Sequence, residues 1–193
     1  MPRALLLVDV QPTFCEDGDL PVPGGNEIAF RIAEYVLSRR GEYGLLITSQ
    51  DWHIDPADHF SDEPDFVDTW PPHGLAGTAN AEIHPAVTAA LGETGSDIAV
   101  KKGQHAAAYS AFEGTDEQGR PLGELLTEAG IDMLDVCGIA ESHCVRASAL
   151  DALRAGLGVR LITDLTVPVT PESGAAAREA IGAAGGQLIT TGA

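Results

Sequence analysis

The sequence is poor in positive charge. Its 193 residues include 11 Lys and Arg against 29 Asp and Glu, which gives a formal net charge of −18 at pH 7. A surface this acidic repels the phosphate backbone of nucleic acids and anionic membranes. We therefore expect neither nucleic acid nor a membrane as a partner, and we interpret the charge itself as a source of solubility.

The sequence also has no hydrophobic run of membrane-spanning length. Its first segment, MPRALLLVDV, is too short and too soon acidic for a signal peptide, which favours a cytoplasmic protein. Cysteine is scarce, and Cys15, Cys137 and Cys144 form an odd set without CxxC spacing, which argues against a disulfide framework or a zinc ribbon. Since a chain of this length can bury a core without such crosslinks, we expect one domain over residues 1–193.

Short apolar runs alternate with longer amphipathic stretches. The runs, which predict buried strands, span residues 3–10, 43–51, 97–103, 132–139, 158–166 and 187–191. Apolar residues at helical spacing predict helices around residues 28–36, 122–129, 145–153 and 177–184. Because parallel strands need crossovers and helices supply them, we predict an α/β fold with a three-layer, doubly wound, mostly parallel six-stranded sheet and helices on both faces.

Several reactive residues stand where the predicted strands end, and ligands of open α/β sheets bind beyond these carboxyl ends. Asp9 ends the first strand, Asp51 the second and two lysines the third, whereas Cys144 follows the fourth at the start of a helix. Backbone amides and the helix dipole stabilise a thiolate at a helix start, so we interpret Cys144 as a nucleophile. Cys137 lies inside a strand, which is typical of a core residue.

Asp9 interrupts an apolar strand, where a carboxylate is costly to bury unless a cation pairs with it. Lys101 or Lys102 can supply that cation, and alternation along the strand lets only one of them point into the crevice. Such an ion pair is either purely structural or, beside a thiol, activating, with Asp9 taking the thiol proton.

One irregular segment, residues 51–80, has no apolar periodicity and carries three histidines, which favours a functional loop. With the carboxylate at its start they form a set of four candidate ligands: Asp51, His53, His59 and His73. Such oxygen and nitrogen ligands suit Zn²⁺, Fe²⁺ or Mn²⁺. Loop histidines are often merely solvated, but their position at a strand end favours a metal site.

Five segments, in the order VDVQPTFC, DWHIDPADHF, WPPHG, KKGQHAAAYSAFEG and GIAESHCV, resemble the nicotinamidase (pyrazinamidase) branch of the isochorismatase-like cysteine hydrolases. The resemblance covers essentially the whole chain and implies the isochorismatase-like hydrolase fold. It implies a catalytic triad of Asp9, Lys102 and Cys144. Lys102 is preferred over Lys101 because it directly precedes Gly103, as the family's lysine precedes a glycine.

The resemblance further implies one divalent metal ion per chain, with Zn²⁺ as the first choice and Fe²⁺ or Mn²⁺ as alternatives. The implied metal ligands are Asp51, His53, His59 and His73. The implied pocket around the pyridine ring is lined by Phe14, Trp70, Tyr109 and His143. A cis peptide bond between Ile139 and Ala140, and an oxyanion hole formed by the amides of Ala140 and Cys144, are also implied.

The activity that the resemblance implies is hydrolysis of nicotinamide to nicotinate and ammonia through a cysteine thioester, with pyrazinamide as a further substrate and salvage toward NAD as the pathway. Ser142 and Gly74 depart from the family pattern, in which an aspartate and a cysteine are common there, and this bears on fine substrate preference. Three alternatives stay open: another small-amide cysteine hydrolase, a metal-hydroxide hydrolase, and a non-catalytic metal- or nicotinamide-binding protein. The sequence also leaves open whether the chain forms a homo-oligomer.

Overall fold

A six-stranded sheet forms the middle layer of the fold in this computed structural model, which describes residues 2–192. Its strands are β1 (Arg3–Val8), β2 (Leu45–Asp51), β3 (Ile98–Lys102), β4 (Met133–Ile139), β5 (Gly158–Val167) and β6 (Gln187–Ile189). They lie in the order β3-β2-β1-β4-β5-β6, and every pairing is parallel. The predicted α/β fold class is confirmed.

The helices cover both faces of the sheet. They are α1 (Gly25–Arg39), α2 (Pro85–Leu91), α3 (Leu122–Glu128), α4 (Arg146–Arg154) and α5 (Pro171–Ala183). Alternate residues of β1 enter different cores, because side chains along a strand point to opposite faces. Ala4, Leu6 and Val8 pack with α3, α4 and α5, whereas Leu5 and Leu7 pack with α1 and α2. Helix α2 was not among the helices predicted from the sequence.

The strand order reverses between β1 and β4. The chain moves outward from β1 through β2 to β3 and then returns to β4 beside β1. Reversal leaves a crevice at the carboxyl ends of these two strands, since the connections leave in opposite directions. Asp9 follows β1 and Cys144 follows β4, so the fold brings these two residues to the same crevice.

Close contact between β1 and β4 requires a glycine at the end of β4. Gly138 has a φ of 127°, and a Cβ added there would lie 2.0 Å from the carbonyl oxygen of Val8. The register of β4 against β5 shifts between Val136 and Gly138. One residue further on, the Ile139–Ala140 peptide bond is cis, as the resemblance predicted.

The segment between β2 and α2 is largely irregular, as predicted. It contains two short 3-10 turns, Ala57–His59 and Ala79–Ala81, and isolated bridges join His53 to Leu75 and Phe60 to Trp70. None of the helices within residues 2–192 combines the length and the apolar character needed to cross a membrane.

Candidate active site

A buried lysine joins the carboxyl ends of three strands. The Nζ of Lys102 lies 3.0 Å from Asp9 Oδ2 and 3.7 Å from Cys144 Sγ, and it also donates a hydrogen bond to Asp51 Oδ1. Lys102 is 1% exposed and Asp9 is fully buried. The neighbouring Lys101 points to the other side of β3, where its Nζ lies 3.4 Å from the ring centroid of Trp52. These contacts show that Lys102 is the lysine that points into the crevice.

Cys144 lies in a single π-helical turn, Glu141–Val145, that leads into α4. The Val145 amide donates to the Ala140 carbonyl across five residues, at 3.2 Å. Such π turns occur often at functional sites. Within this turn the sulfur is buried against Lys102 and Asp9.

Cys144, whose position before α4 led to its interpretation as a nucleophile, is buried in the resting protein, and its role stays a prediction. Burial raises the pKa of the Cys144 thiol well above its usual value, although Lys102 acts in the opposite direction. Burial likewise raises the pKa of the Asp9 carboxyl, again against Lys102. At the sulfur, the effect of desolvation on the pKa outweighs that of Lys102, because an anion loses far more solvation on burial than a neutral thiol.

Ser49, a residue that the sequence analysis missed, holds the Asp9 carboxylate. Its hydroxyl donates to Asp9 Oδ1 at 2.6 Å, and the Asp9 amide in turn lies 3.3 Å from the Ser49 Oγ. Asp9 has a φ of 47°, which is uncommon for a residue with a side chain. Ser49 reads in the sequence as one more residue of a buried strand, so no local signal distinguished it.

Three imidazoles meet beside this group. His53, His59 and His73 each offer a ligand atom within 4.8 Å of the others. Asp51 Oδ2 lies 3.8 Å from the Nε2 of His53 and 3.7 Å from the Nε2 of His73. One oxygen of Asp51 therefore contacts Lys102 and the other faces the histidines, so Asp51 connects the two clusters.

The orientation of the rings fits a metal ion. Gly103 and Pro71 accept hydrogen bonds from the Nδ1 atoms of His53 and His73, at 2.6 and 2.8 Å, which leaves each Nε2 with a free lone pair. His53 Nε2 and His59 Nδ1 are buried without a hydrogen-bond partner among the described residues. Burial lowers the pKa of His59 to about 4, so its ring is neutral at pH 7, as a ligand must be. These residues can hold a divalent ion.

A cavity of about 220 Å³ opens between the thiol and the histidines. All four predicted pocket residues line it: Phe14, Trp70, Tyr109 and His143. Ala140, Cys144, Asp51, His59 and His73 also reach its wall. The Trp70 indole donates to the Tyr109 hydroxyl at 2.9 Å, and the Trp70 ring stands perpendicular to His143 at 5.5 Å. The result is an aromatic-walled space for a small molecule, and the predicted roles of its residues stay predictions.

Further parts of the wall come from segments that the sequence analysis did not consider. They are Leu20, Pro21 and Val22 before α1, Phe66 in the irregular segment, Ala108 after β3 and Val169 before α5. These residues carry no motif and sit in loops that are far apart in the sequence. Only the folded chain shows that they share one surface.

A thiol beside a buried carboxylate and an ammonium, at the switch point of a parallel α/β sheet, is an arrangement typical of a hydrolase site. Residues 3–193 match the family described as Isochorismatase domain, and the chain belongs to this family. Across 97% of its length it is 44% identical to the nicotinamidase/pyrazinamidase of Mycobacterium tuberculosis, of which the match covers 98%.

Solved structures agree with this assignment. The pyrazinamidase of Pyrococcus horikoshii in complex with zinc is 31% identical, with a TM-score of 0.79 over 98% of this chain and 99% of that one. The PnC1 protein of L. infantum in complex with nicotinate is 30% identical, with a TM-score of 0.82 over 99% and 93%. These similarities support a small-molecule substrate and a divalent metal ion in this family of sites.

Proposed function

We propose that this protein hydrolyses nicotinamide to nicotinate and ammonia, and that it also accepts pyrazinamide. One observation carries the proposal: a single small cavity is lined both by Cys144 and by His59 and His73, two members of the histidine cluster. A pyridine carboxamide has matching ends, an electrophilic amide carbon and a basic ring nitrogen. The names of the similar proteins from M. tuberculosis and P. horikoshii support the same substrates.

In the acylation step, Asp9 takes the proton of the Cys144 thiol and the thiolate attacks the carboxamide carbon. Ser49 occupies Oδ1 of Asp9, which leaves Oδ2, on the side of Lys102, to receive the proton. Lys102 offsets the negative charge that then sits on sulfur. The raised pKa of Asp9, caused by its burial, suits an acid that must later return this proton.

The tetrahedral intermediate carries an oxyanion, for which we propose the backbone amides of Ala140 and Cys144 as donors. Asp9 then protonates the departing nitrogen, so that ammonia leaves and a thioester to Cys144 remains. Water attacks the thioester carbon while Asp9 accepts its proton, and Cys144 leaves as thiolate and recovers that proton. The complete cycle therefore returns Asp9 and Cys144 to their starting states.

The proposed metal ligands are Asp51, His53, His59 and His73, with Zn²⁺ as the ion. When bound, the ion would supply an electron-pair acceptor for the pyridine nitrogen. Phe14, Trp70 and Tyr109 would hold the ring against it and fix the amide carbon near Cys144 Sγ. A cytoplasmic location and a single domain over residues 1–193 remain parts of the same proposal.

The test is ammonia release from nicotinamide by the wild type and by Cys144→Ala, with Cys137→Ala as the matched control. Cys137 is fully buried in β4 and outside the cavity, so its variant should keep activity. We expect release by the wild type and the control and none by Cys144→Ala. Release by Cys144→Ala would instead favour a metal-hydroxide hydrolase, and no release by any variant would exclude nicotinamide as a substrate.

A further inference from the structure

The histidine on the cavity wall has a hydrogen-bond partner that the proposed reaction does not use. Nδ1 of His143 lies 2.9 Å from the hydroxyl oxygen of Ser142. Ser142 belongs to the same π-helical turn and is 8% exposed. A neutral imidazole has one donor and one acceptor nitrogen. The hydrogen bond made by Nδ1 therefore determines whether Nε2 is a donor or an acceptor.

The Ser142 oxygen is already an acceptor in a second contact. The backbone amide of Val169 donates to it at 3.3 Å, from the segment that leads into α5. The Ser142 hydroxyl proton still needs an acceptor. Among the described residues, the acceptor with which the hydroxyl makes a hydrogen bond is His143 Nδ1. If Nδ1 carried the ring proton, two donors would share one oxygen and the nearly buried hydroxyl proton would go unpaired, which is costly.

His143 is also neutral near pH 7. Burial lowers the pKa of its ring, and the nearby Arg146 lowers it further. The ring packs perpendicular to Trp70 at 5.5 Å and tilted against Tyr109 at 6.3 Å, so two aromatic neighbours fix its plane. His143 lines the cavity, and Nε2 is the ring nitrogen for which the described residues supply no hydrogen-bond partner.

We propose that Ser142 holds His143 in the tautomer with the proton on Nε2, so that the cavity wall presents a hydrogen-bond donor to the substrate. Ser142 is then a positioning residue that acts through His143, and it favours amides with an acceptor atom, such as the carboxamide oxygen, at this point of the wall. This inference rests on the proposed function for its substrate, whereas the tautomer is argued from the hydrogen bonds of Ser142 and from the neutral ring of His143. An aspartate in place of Ser142 would accept from Nδ1 and would turn Nε2 into an acceptor.

Long-range ¹⁵N–¹H correlation spectra of the Zn²⁺-loaded protein at neutral pH test the tautomer directly. The His143 signals are identified by their loss in His143→Gln. We expect the Nε2–H pattern in the wild type and in Ser142→Thr, which keeps the hydroxyl, and a protonated Nδ1 in Ser142→Asp. An Nδ1–H pattern in the wild type, or an unprotonated Nδ1 in the aspartate variant, would overturn the inference.

Kinetics with nicotinamide, which is neutral, test the consequence for binding. In Ser142→Asp we expect a KM at least about tenfold above the wild-type value with a similar kcat, because an acceptor would face the substrate acceptor. Ser142→Thr should keep the wild-type KM, and an unchanged KM in both variants would contradict a donor role. The spectra decide the tautomer even if no variant releases ammonia, so failure of the proposed function is distinguishable from failure of this inference.

Discussion

At the scale of single residues, the site depends on one buried ammonium between two buried carboxylates. Burial acts to lower the pKa of Lys102, but Asp51 and Asp9 outweigh it and the pKa is raised well above its usual value. For Asp51, burial acts to raise the pKa, and Lys102 and two histidines reverse this and lower it. Each ionised group is therefore stable only because the others are present.

Replacing Lys102 with methionine should consequently destabilise the fold as well as abolish activity. The change leaves Asp9 and Asp51 buried without their cation, which typically costs about 3–5 kcal/mol of unfolding free energy. Denaturant unfolding measures this loss. Lys101→Met is the matched control, since its ammonium makes no ion pair with the residues from 2 to 192 and lies over the Trp52 ring, a contact that contributes about 0.5–1 kcal/mol. Equal unfolding free energies for the two variants would contradict the assignment of Lys102.

Ser49→Ala should lower kcat while KM stays near the wild-type value. The variant removes the donor to Asp9 Oδ1, and a hydrogen bond to a charged group contributes about 1.5–3 kcal/mol, or roughly 10- to 100-fold in rate. KM should hold because Ser49 does not reach the cavity wall. Steady-state kinetics with nicotinamide measure both constants. Ser49→Thr retains the hydroxyl and should restore kcat; a wild-type kcat in the alanine variant would show that Asp9 needs no such support.

At the scale of secondary-structure elements, the residue that follows β3 contacts the histidine cluster and positions one of its rings. Gly103 follows the strand with a φ of 72°, and its carbonyl accepts from His53 Nδ1. A Cβ added at Gly103 would lie 2.5 Å from Cε1 and 2.8 Å from Nδ1 of the His53 ring. The element thus fixes the position and the tautomer of one proposed ligand.

Gly103→Ala should weaken metal binding by about 10- to 100-fold, the usual effect of disturbing the partner of a metal-binding histidine. Competition with a chromophoric chelator measures the affinity for Zn²⁺. Gly119→Ala is the matched control, because Gly119 has a similar φ of 80° but no atom within 4 Å of an added Cβ. Both variants carry backbone strain and only one displaces a ring. Wild-type affinity in Gly103→Ala would argue that His53 is not a ligand.

The strands were predictable from the sequence because each is a run of buried apolar residues, and the strand ends then located the reactive side chains. Helix α2 was missed because it has seven residues and buries only Val87. The choice between Lys101 and Lys102 needed the family resemblance, since strand alternation shows that one points inward but not which. Wall residues such as Leu20 and Val169 were not predictable, because loops carry no periodicity that indicates where they meet.

At the scale of the whole molecule, the charged groups form two sets, one buried and compensated and the other on the surface and mostly acidic. The reactive charged groups, Asp9, Asp51 and Lys102, are buried at the carboxyl edge of the sheet and compensate one another. Most other acids lie outside the core, and 11 basic residues cannot neutralise the 29 acidic ones. The surface is therefore left with a large excess of like charge, which destabilises the compact state through self-repulsion.

This excess predicts that salt stabilises the protein. Raising the ionic strength from 0.01 M to 0.15 M shortens the screening length from about 30 Å to about 8 Å, which weakens the repulsion between distant acids. Salt also weakens exposed ion pairs such as Arg39–Glu42 and Arg154–Asp151, but each of these contributes little. Repulsion should dominate, and Tm of the Zn²⁺-loaded protein should rise by about 2–4 °C, the equivalent of about 1 kcal/mol for a chain of this size.

Calorimetric scans in NaCl and in tetramethylammonium chloride at equal ionic strength separate screening from specific cation binding. Screening depends only on ionic strength, so both salts should raise Tm equally. A rise in NaCl alone would mean that sodium binds acidic groups at particular sites. A fall of Tm in both salts would mean that the few ion pairs outweigh the repulsion among 29 acidic residues. The inference that the surface charge destabilises the folded state would then be wrong.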